Sequence, residues 1–449
     1  MLRLSIPIMS SKKRVGAPSA VPFVWPVFAV LCGLGPAAQA EPASFAPVPM
    51  VAPPTAGAAL AALTLDELVQ RVLEAQPDLK AAALAIEAAQ AGVTAARALP
   101  NPRIDWQSGN WRPLTAGSAG ATTTVTVAQP VENPWLRLSR KAVAESGVEL
   151  ARQQREMLRN EVVSRVRTLA VELEWRQQEA QTQAESLLLL EQVRDRIRRR
   201  VELGESPRYD LIKADAEAIN ARQRSQQAAL MVDQVRISLD RLAAGRLPTG
   251  WSLRPDSALD LVSLELPAIA DQPPEGNPEL AALQSQLRQS RAALDQARAG
   301  VLPSVDVMVT QGRDPEVRQR ALGLSVSVPL LDRRQGPIAQ AQTEVQKAQT
   351  ALDGRRAELV QELRLARKTL EMALSRVRGL SQGAIREAEA AVRVAEAAWR
   401  FGERGILDVL DAQRVLRALR VDLIQARYEA QAALIEIERL EGRHAASGR

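Results

Sequence analysis

Apolar residues recur every three or four positions over two very long stretches of the chain. In the first, Val162, Val166, Leu169 and Leu173 are followed by Leu190, Val193, Ile197 and Val201; in the second, Leu359, Leu363, Leu370, Leu374 and Val377 keep the same rhythm. The spacing predicts long helices with a coiled-coil-like seam, and the many alanines let such helices approach closely. Between Pro134 and Gly204 the pattern covers roughly 70 residues, on the order of 100 Å of helix at 1.5 Å per residue. A polar helix of that length needs neighbours along all of it to bury its stripe.

A different period interrupts these stretches. Val305, Val307 and Val309 alternate with Ser304, Asp306 and Met308, and Leu322, Leu324, Val326 and Val328 alternate with Gly323, Ser325 and Ser327. Alternation of this kind predicts two strands. A weaker version lies upstream, at Ile104 and Trp106 and again at Val125 and Val127 among threonines. Pro100, Pro130, Pro303 and Pro329 are expected at the helix–strand junctions, where a missing amide is tolerable.

The two patterned regions are copies of one unit. "PDLKAAALAIEAAQAGVTAARALPNPRIDW" and "TTTVTVAQPV" align with "PELAALQSQLRQSRAALDQARAGVLPSVDVMV" and "LGLSVSVPLL", and each copy continues through a long helix to a glycine turn. The turns match position for position: Gly204, Asp210, the apolar Leu211 and Ala214 in "GESPRYDLIKAD" against Gly402, Asp408, the apolar Val409 and Ala412 in "GERGILDVLDAQ". Each copy therefore reads helix, strand, strand, long helix, turn, helix. The glycines suit helix-terminating positions that need a left-handed backbone.

This divides the chain into a signal peptide (1–40), a Pro/Ala-rich flexible lead-in (41–63), a first repeat (64–245), an irregular linker (246–277), a second repeat (278–443) and a short tail (444–449). The signal reading rests on Lys12, Lys13 and Arg14, the apolar stretch from Val21 to Leu34, and "AAQA" with its small residues Ala38 and Ala40. Met9 is an alternative start. Leu31 before Cys32 is bulkier than a lipidation site prefers. After cleavage the mature chain has no thiol and one histidine, His444, so neither a disulfide nor a His/Cys metal cage can form.

Composition narrows the function. The chain has 449 residues, only 3% of them aromatic, and a formal charge of +6. Its basic residues are interspersed with acids instead of gathered in a patch, which speaks against a nucleic-acid partner. There is no Ser/His/Asp set, phosphate-binding glycine loop or metal-ligand cluster, so neither an enzyme nor a cofactor is expected. The four strands are each about the length that crosses an outer membrane. Four cannot close a barrel of useful bore, and an open edge in lipid leaves backbone groups unsatisfied, so several chains are expected to pool strands.

The duplicated unit, its "LPNP"-type break and its Gly-x5-Asp turns resemble the TolC-type outer-membrane efflux channel family, from about Thr64 to Gly442. "LPNPRIDW" and "GESPRYDLIKAD" look most like the CzcC-type branch that serves cation-exporting pumps. The resemblance implies a mainly helical chain with membrane strands: a homotrimer carrying a 12-stranded β-barrel in the outer membrane of a Gram-negative bacterium, above a long helical barrel in the periplasm. It implies a passive conduit, embedded in outer-membrane lipid and energised by an inner-membrane pump of RND type through a periplasmic adaptor. It places the turns at Gly204 and Gly402 at the periplasmic tip, where those partners dock.

The same resemblance assigns roles to individual residues. Asp408 and Asp411, one helical turn apart, would ring the pore constriction; the plainer alternative is solvated first-turn acids favoured by the helix dipole. Asp210 and Arg404 would form the latch of the closed state, with Trp399 standing where an aromatic tyrosine is expected. The plain alternative is exposed charge worth about 0–1 kcal/mol. Trp106, Trp111 and Trp135 fit a membrane-interface belt, or simple packing. The competing reading of the whole chain is a periplasmic adaptor with coiled-coil hairpins, although an adaptor normally has one hairpin and this chain has two.

Overall fold

The computed structural model of the chain describes residues 62–112, 114–254, 274 and 276–444. The signal peptide, most of the lead-in and linker, and the tail beyond His444 lie outside the described residues. The chain opens with β1 (Ala62–Leu63) and α1 (Leu65–Ala75), then runs through α2 (Pro77–Arg97), β2 (Arg103–Trp111), β3 (Gly120–Val131), α3 (Pro134–Glu202) and α4 (Arg208–Leu242). After β4 (Ser252–Leu253) the second copy follows as α5 (Pro278–Ala299), β5 (Ser304–Arg313), β6 (Arg318–Ser327), α6 (Gln335–Gly379), a π-helical segment (Leu380–Ala384), α7 (Ile385–Arg400) and α8 (Ile406–Glu441). Both copies follow the order that the two periodicities predict.

Local chemistry sets the helix starts. Pro77, Pro134 and Pro278 occupy the first turns of α2, α3 and α5, where the proline nitrogen has no hydrogen bond to lose. Asn133 Oδ1 accepts from the Trp135 amide at 2.9 Å, and Asn277 Oδ1 accepts from the amides of Glu279 and Leu280 at 2.9 and 3.0 Å. Thr64 and Glu67 close a reciprocal capping box on α1. That Thr-x-x-Glu spacing is a sequence signal for a helix which the repeat alignment passes over.

α3 runs unbroken for 69 residues, about 100 Å. It packs along α1, α2, α4, α5 and α8, the continuous set of neighbours its polar length demands. Near its middle, Val162, Val166, Ala170 and Leu173 bury against Leu68 and Val72 of α1 and Val235 and Leu239 of α4. A second core joins Leu280 and Leu287 of α5 to Leu359, Leu370 and Leu374 of α6 and Ile437 and Leu440 of α8.

Four features depart from the sequence expectation. Ala62 and Leu63, assigned to the flexible lead-in, pair in parallel with Ser252 and Leu253 of the supposed irregular linker, and Leu63 is buried beside Trp251. This contact joins segments nearly 190 residues apart, which no local pattern reports. Pro130 lies inside β3 opposite Asp306, not at a junction. It is tolerated because β2 pairs with β3 only as far as Ala128, so one flank of Pro130 has no ladder bond to lose. β6 stops at Ser327, one residue short of Val328. Finally, the long helix of the second copy contains the π segment, a local shift of hydrogen-bond register where the spacing predicts one continuous α-helix.

Candidate functional site

Two regions concentrate what the sequence singles out: the strand sheet at one end of the helices and the paired glycine turns at the other. The sheet has the order β2-β3-β5-β6, antiparallel throughout, with β2 and β6 as edges. Register sorts its side chains, because directly opposed residues share a face. Ile104, Val127, Val309 and Leu322 form one row across all four strands, and Trp106, Val125, Gln311 and Arg320 form the next. Val131, Val305 and Val326 lie on the same face, nearer the helices. The opposite face carries Asp105, Thr124, Thr126, Asp306, Thr310 and Ser325, with Thr126 and Thr310 hydroxyls 3.1 Å apart.

One face is therefore apolar and the other polar, and the apolar one is open: Ile104, Trp106, Leu322 and Leu324 are 68–77% exposed. At about 3.4 Å per residue and a tilt of about 45°, a ten-residue strand rises about 24 Å, close to the ~25 Å apolar band of outer-membrane barrels. Among the described residues, no helix is long and apolar enough to cross a membrane.

The tryptophans divide. Trp106 lies on the apolar face, but Trp111, five residues on, has the opposite parity and falls on the polar face against Gly120. A two-residue repeat cannot place an odd-numbered and an even-numbered residue of one regular strand in one belt, so the expected grouping of these two is corrected. Trp135 stands exposed in the first turn of α3.

At the far end the two turns are structural duplicates. Gly204 and Gly402 have φ of +76° and +73°. The Gly204 amide donates to the Val201 carbonyl and the Glu205 amide to Arg200; the Gly402 amide donates to Trp399 and Glu403 to Ala398. Both are Schellman closures in the same register. The turns meet in one cluster, where Ile197 of α3, Ala214 of α4 and Ile406 and Val409 of α8 are buried together with Leu211 and Trp399 packed on them. The Arg200 guanidinium carbon lies 5.5 Å from the centre of the Trp399 ring, a cation–π contact between the two hairpins.

α8 turns Val409 and Leu410 inward, which leaves Asp408 and Asp411 on its exposed face. Each has a basic neighbour: Arg404 Nη1 is 3.8 Å from Asp408 Oδ2, and Arg414 Nη2 is 3.0 Å from Asp411 Oδ1. Within one chain, then, Arg404 is paired with Asp408 and not brought to Asp210, which sits half-buried in the first turn of α4. Arg414 escaped the sequence reading, although its spacing from Asp411 is the signal that could have found it. Among the described residues there is no group of three His, Cys, Asp or Glu side chains placed to hold a metal ion.

The fold thus joins an antiparallel sheet, apolar on one face, polar on the other and open at both edges, to long paired helices. The sequence model of the family described as Outer membrane efflux protein matches residues 68–245 and 271–443, one stretch per repeat, and the chain belongs to that family. The cobalt-zinc-cadmium resistance protein CzcC of Cupriavidus metallidurans is 26% identical to it over 384 residues, covering 85% of this chain and 90% of that protein. Its fold is shared by a crystal structure of a membrane protein from Pseudomonas aeruginosa, with a TM-score of 0.72 at 19% identity, covering 85% of this chain and 91% of the other. CusC matches equally well, with a TM-score of 0.72 at 17% identity, over 84% and 91% of the two chains.

Proposed function

We propose that the chain is one subunit of a homotrimeric outer-membrane channel, a passive export conduit that works with an inner-membrane pump of RND type and a periplasmic adaptor. The observation that carries this reading is the sheet with two unpaired edges and two chemically opposite faces. In hydrocarbon the free N–H and C=O groups along β2 and β6 would cost several kcal/mol each. Joining β6 of one chain to β2 of the next removes both edges, and three chains supply about twelve strands with the valine-rich face toward lipid and the threonine-rich face toward water. α4 supports the same association, because Ile212, Ile219, Leu230 and Ile237 recur along it and are 60–68% exposed. Such a stripe suits a neighbouring helix of another subunit.

In this assembly the tips of the two hairpins line the periplasmic mouth and receive the adaptor and pump, with Gly204 and Gly402 at the docking turns. Asp408 and Asp411 of three chains bring about six carboxylates to the constriction, where closely packed like charges draw cations. Arg404, Asp210 and Trp399 form the latch. Since Arg404 is exposed and its pair with Asp408 is long, re-pairing with Asp210 of a neighbouring chain costs little. Metal cations are the favoured cargo, in line with the name of the cobalt-zinc-cadmium resistance protein CzcC.

Fractionation of cells expressing the full chain tests the proposal. A detergent-extracted trimer from the outer membrane, conducting in planar bilayers, is the expected result. A water-soluble periplasmic monomer that binds a pump directly would replace the channel by the adaptor reading.

A further inference from the structure

The apolar face of the sheet changes character at its hairpin end. Arg313 of β5 and Arg318 of β6 stand directly opposite each other, and Arg320 opposes Gln311 in the next row. By register all three arginines share a face with Val125, Val309, Leu322 and Leu324. They are exposed, and among the described residues none has a carboxylate partner. The acids closest in sequence are turned to the backbone: Asp314 Oδ1 accepts from the amides of Glu316 and Val317 at 2.9 and 2.6 Å, and Glu316 Oε1 accepts from the Ser118 amide at 2.8 Å. Like charges directly opposed across a ladder are unfavourable, and here nothing in the chain offsets them.

We infer that Arg313, Arg318 and Arg320 form a binding site for the phosphates of an outer-leaflet lipid headgroup. This rests on the reading of the sheet as a membrane barrel. The hairpin linking β5 and β6 is at the end of the sheet opposite the helices, so with the helices in the periplasm it marks the outer surface. A basic row immediately above an apolar band meets lipid at headgroup depth, where a lipid that lays its chains on the valines and leucines brings its phosphate to the arginines. Guanidinium forks match phosphate oxygens in pairs and keep their charge at any physiological pH. A free anion would have no use for the apolar rows below, which is why a lipid is the occupant that fits both halves of the surface.

The test uses the full chain, reconstituted in phosphatidylcholine vesicles with and without diphosphoryl lipid A, and compares it with the R313Q/R318Q/R320Q variant. Flotation of protein with vesicles reports insertion, and native mass spectrometry reports lipid A retained. The wild type is expected to hold diphosphoryl lipid A about ten- to a hundredfold more tightly than the triple Gln variant and than it holds dephosphorylated lipid A. A triple Lys variant keeps most of that preference and a correctly assembled trimer. Equal binding by wild type and Gln variant overturns the site, as does full displacement of lipid A by millimolar inorganic phosphate, which would make it a free-anion site. Failure of the wild type to float with vesicles of either composition overturns the membrane reading itself, and so separates the two failures.

Discussion

Gly204 and Gly402 stand 198 residues apart in the chain and hold the same left-handed backbone, with φ of +76° and +73°. Apart from its own chain neighbours, neither has any atom within 4 Å of where a Cβ would be. The demand for glycine is therefore one of backbone conformation and not of space. Gly204→Ala and Gly402→Ala are each expected to cost about 1 kcal/mol. Thermal melts followed by far-ultraviolet circular dichroism check this, and Gly402→Asn should recover part of the loss because Asn tolerates the left-handed region. Equal melting of the Ala and Asn variants would contradict the account.

The acids of α8 and their arginines make opposed predictions. Asp408→Ala with Asp411→Ala removes negative charge from the exposed face of the helix and should weaken cation block and cation selectivity in planar bilayers. Arg404→Ala frees Asp408 of its neighbour at 3.8 Å and should strengthen block while raising conductance. Single-channel recordings at two ionic strengths read both effects, which shrink as salt screens them. Unchanged recordings for the acid variant would remove the pair from the constriction.

Arg355 forms the hub of an ion network in the second repeat. Its guanidinium donates in pairs to Glu279, at 2.8 and 2.9 Å, and to Glu362, at 2.7 and 3.0 Å. The hydrogen bond from Arg355 holds the Glu362 carboxyl below its ordinary value of 4.5, partly opposed by burial. A carboxylate with a depressed folded pKa contributes stability that is present above about pH 4.5 and lost as pH falls through the lowered value. Melts between pH 6 and pH 3 should show that decline, and Arg355→Met should flatten it while costing about 1–2 kcal/mol at neutral pH. Arg355→Lys should rescue little, because an ammonium cannot form both forks.

His444 behaves in the opposite chemical sense and with the same slope. It is buried, and desolvation, then the charges of Arg167 and Arg443, lower its pKa from 6.5 to about 4. Glu438 Oε2, 3.6 Å from its Nε2, already accepts from Arg167 Nη1 at 3.2 Å. The unfolded chain takes up this proton first, so stability is full above pH 6.5 and falls toward pH 4 by at most about 1.4 kcal/mol per pH unit. His444→Gln should abolish that part of the slope between pH 6.5 and 4. A variant that melts with the wild-type pH profile would show that the imidazole is protonated in the folded chain.

Much of the architecture is written locally. The repeat, the alternating strands, the proline starts of α2, α3 and α5 and both glycine turns follow from the residues themselves, because each depends on backbone preferences within a few positions. The capping box of α1 was equally legible at Thr64 and Glu67. Asp408 and Asp411 could be placed on one face of a helix from spacing alone, since i and i+3 always neighbour each other.

Long-range contacts decided the rest. Whether Leu63 is flexible or buried depends on Trp251 and Leu253, and which residues stand opposite one another across the sheet depends on how β2, β3, β5 and β6 pair. The unpaired arginine row exists only because β5 and β6 meet in one register, and a shift of one residue would send Arg320 and the valines to opposite faces. Sequence specifies each element through forces that act over one turn or one pleat, whereas the meeting of elements is chosen by burial summed over the entire chain.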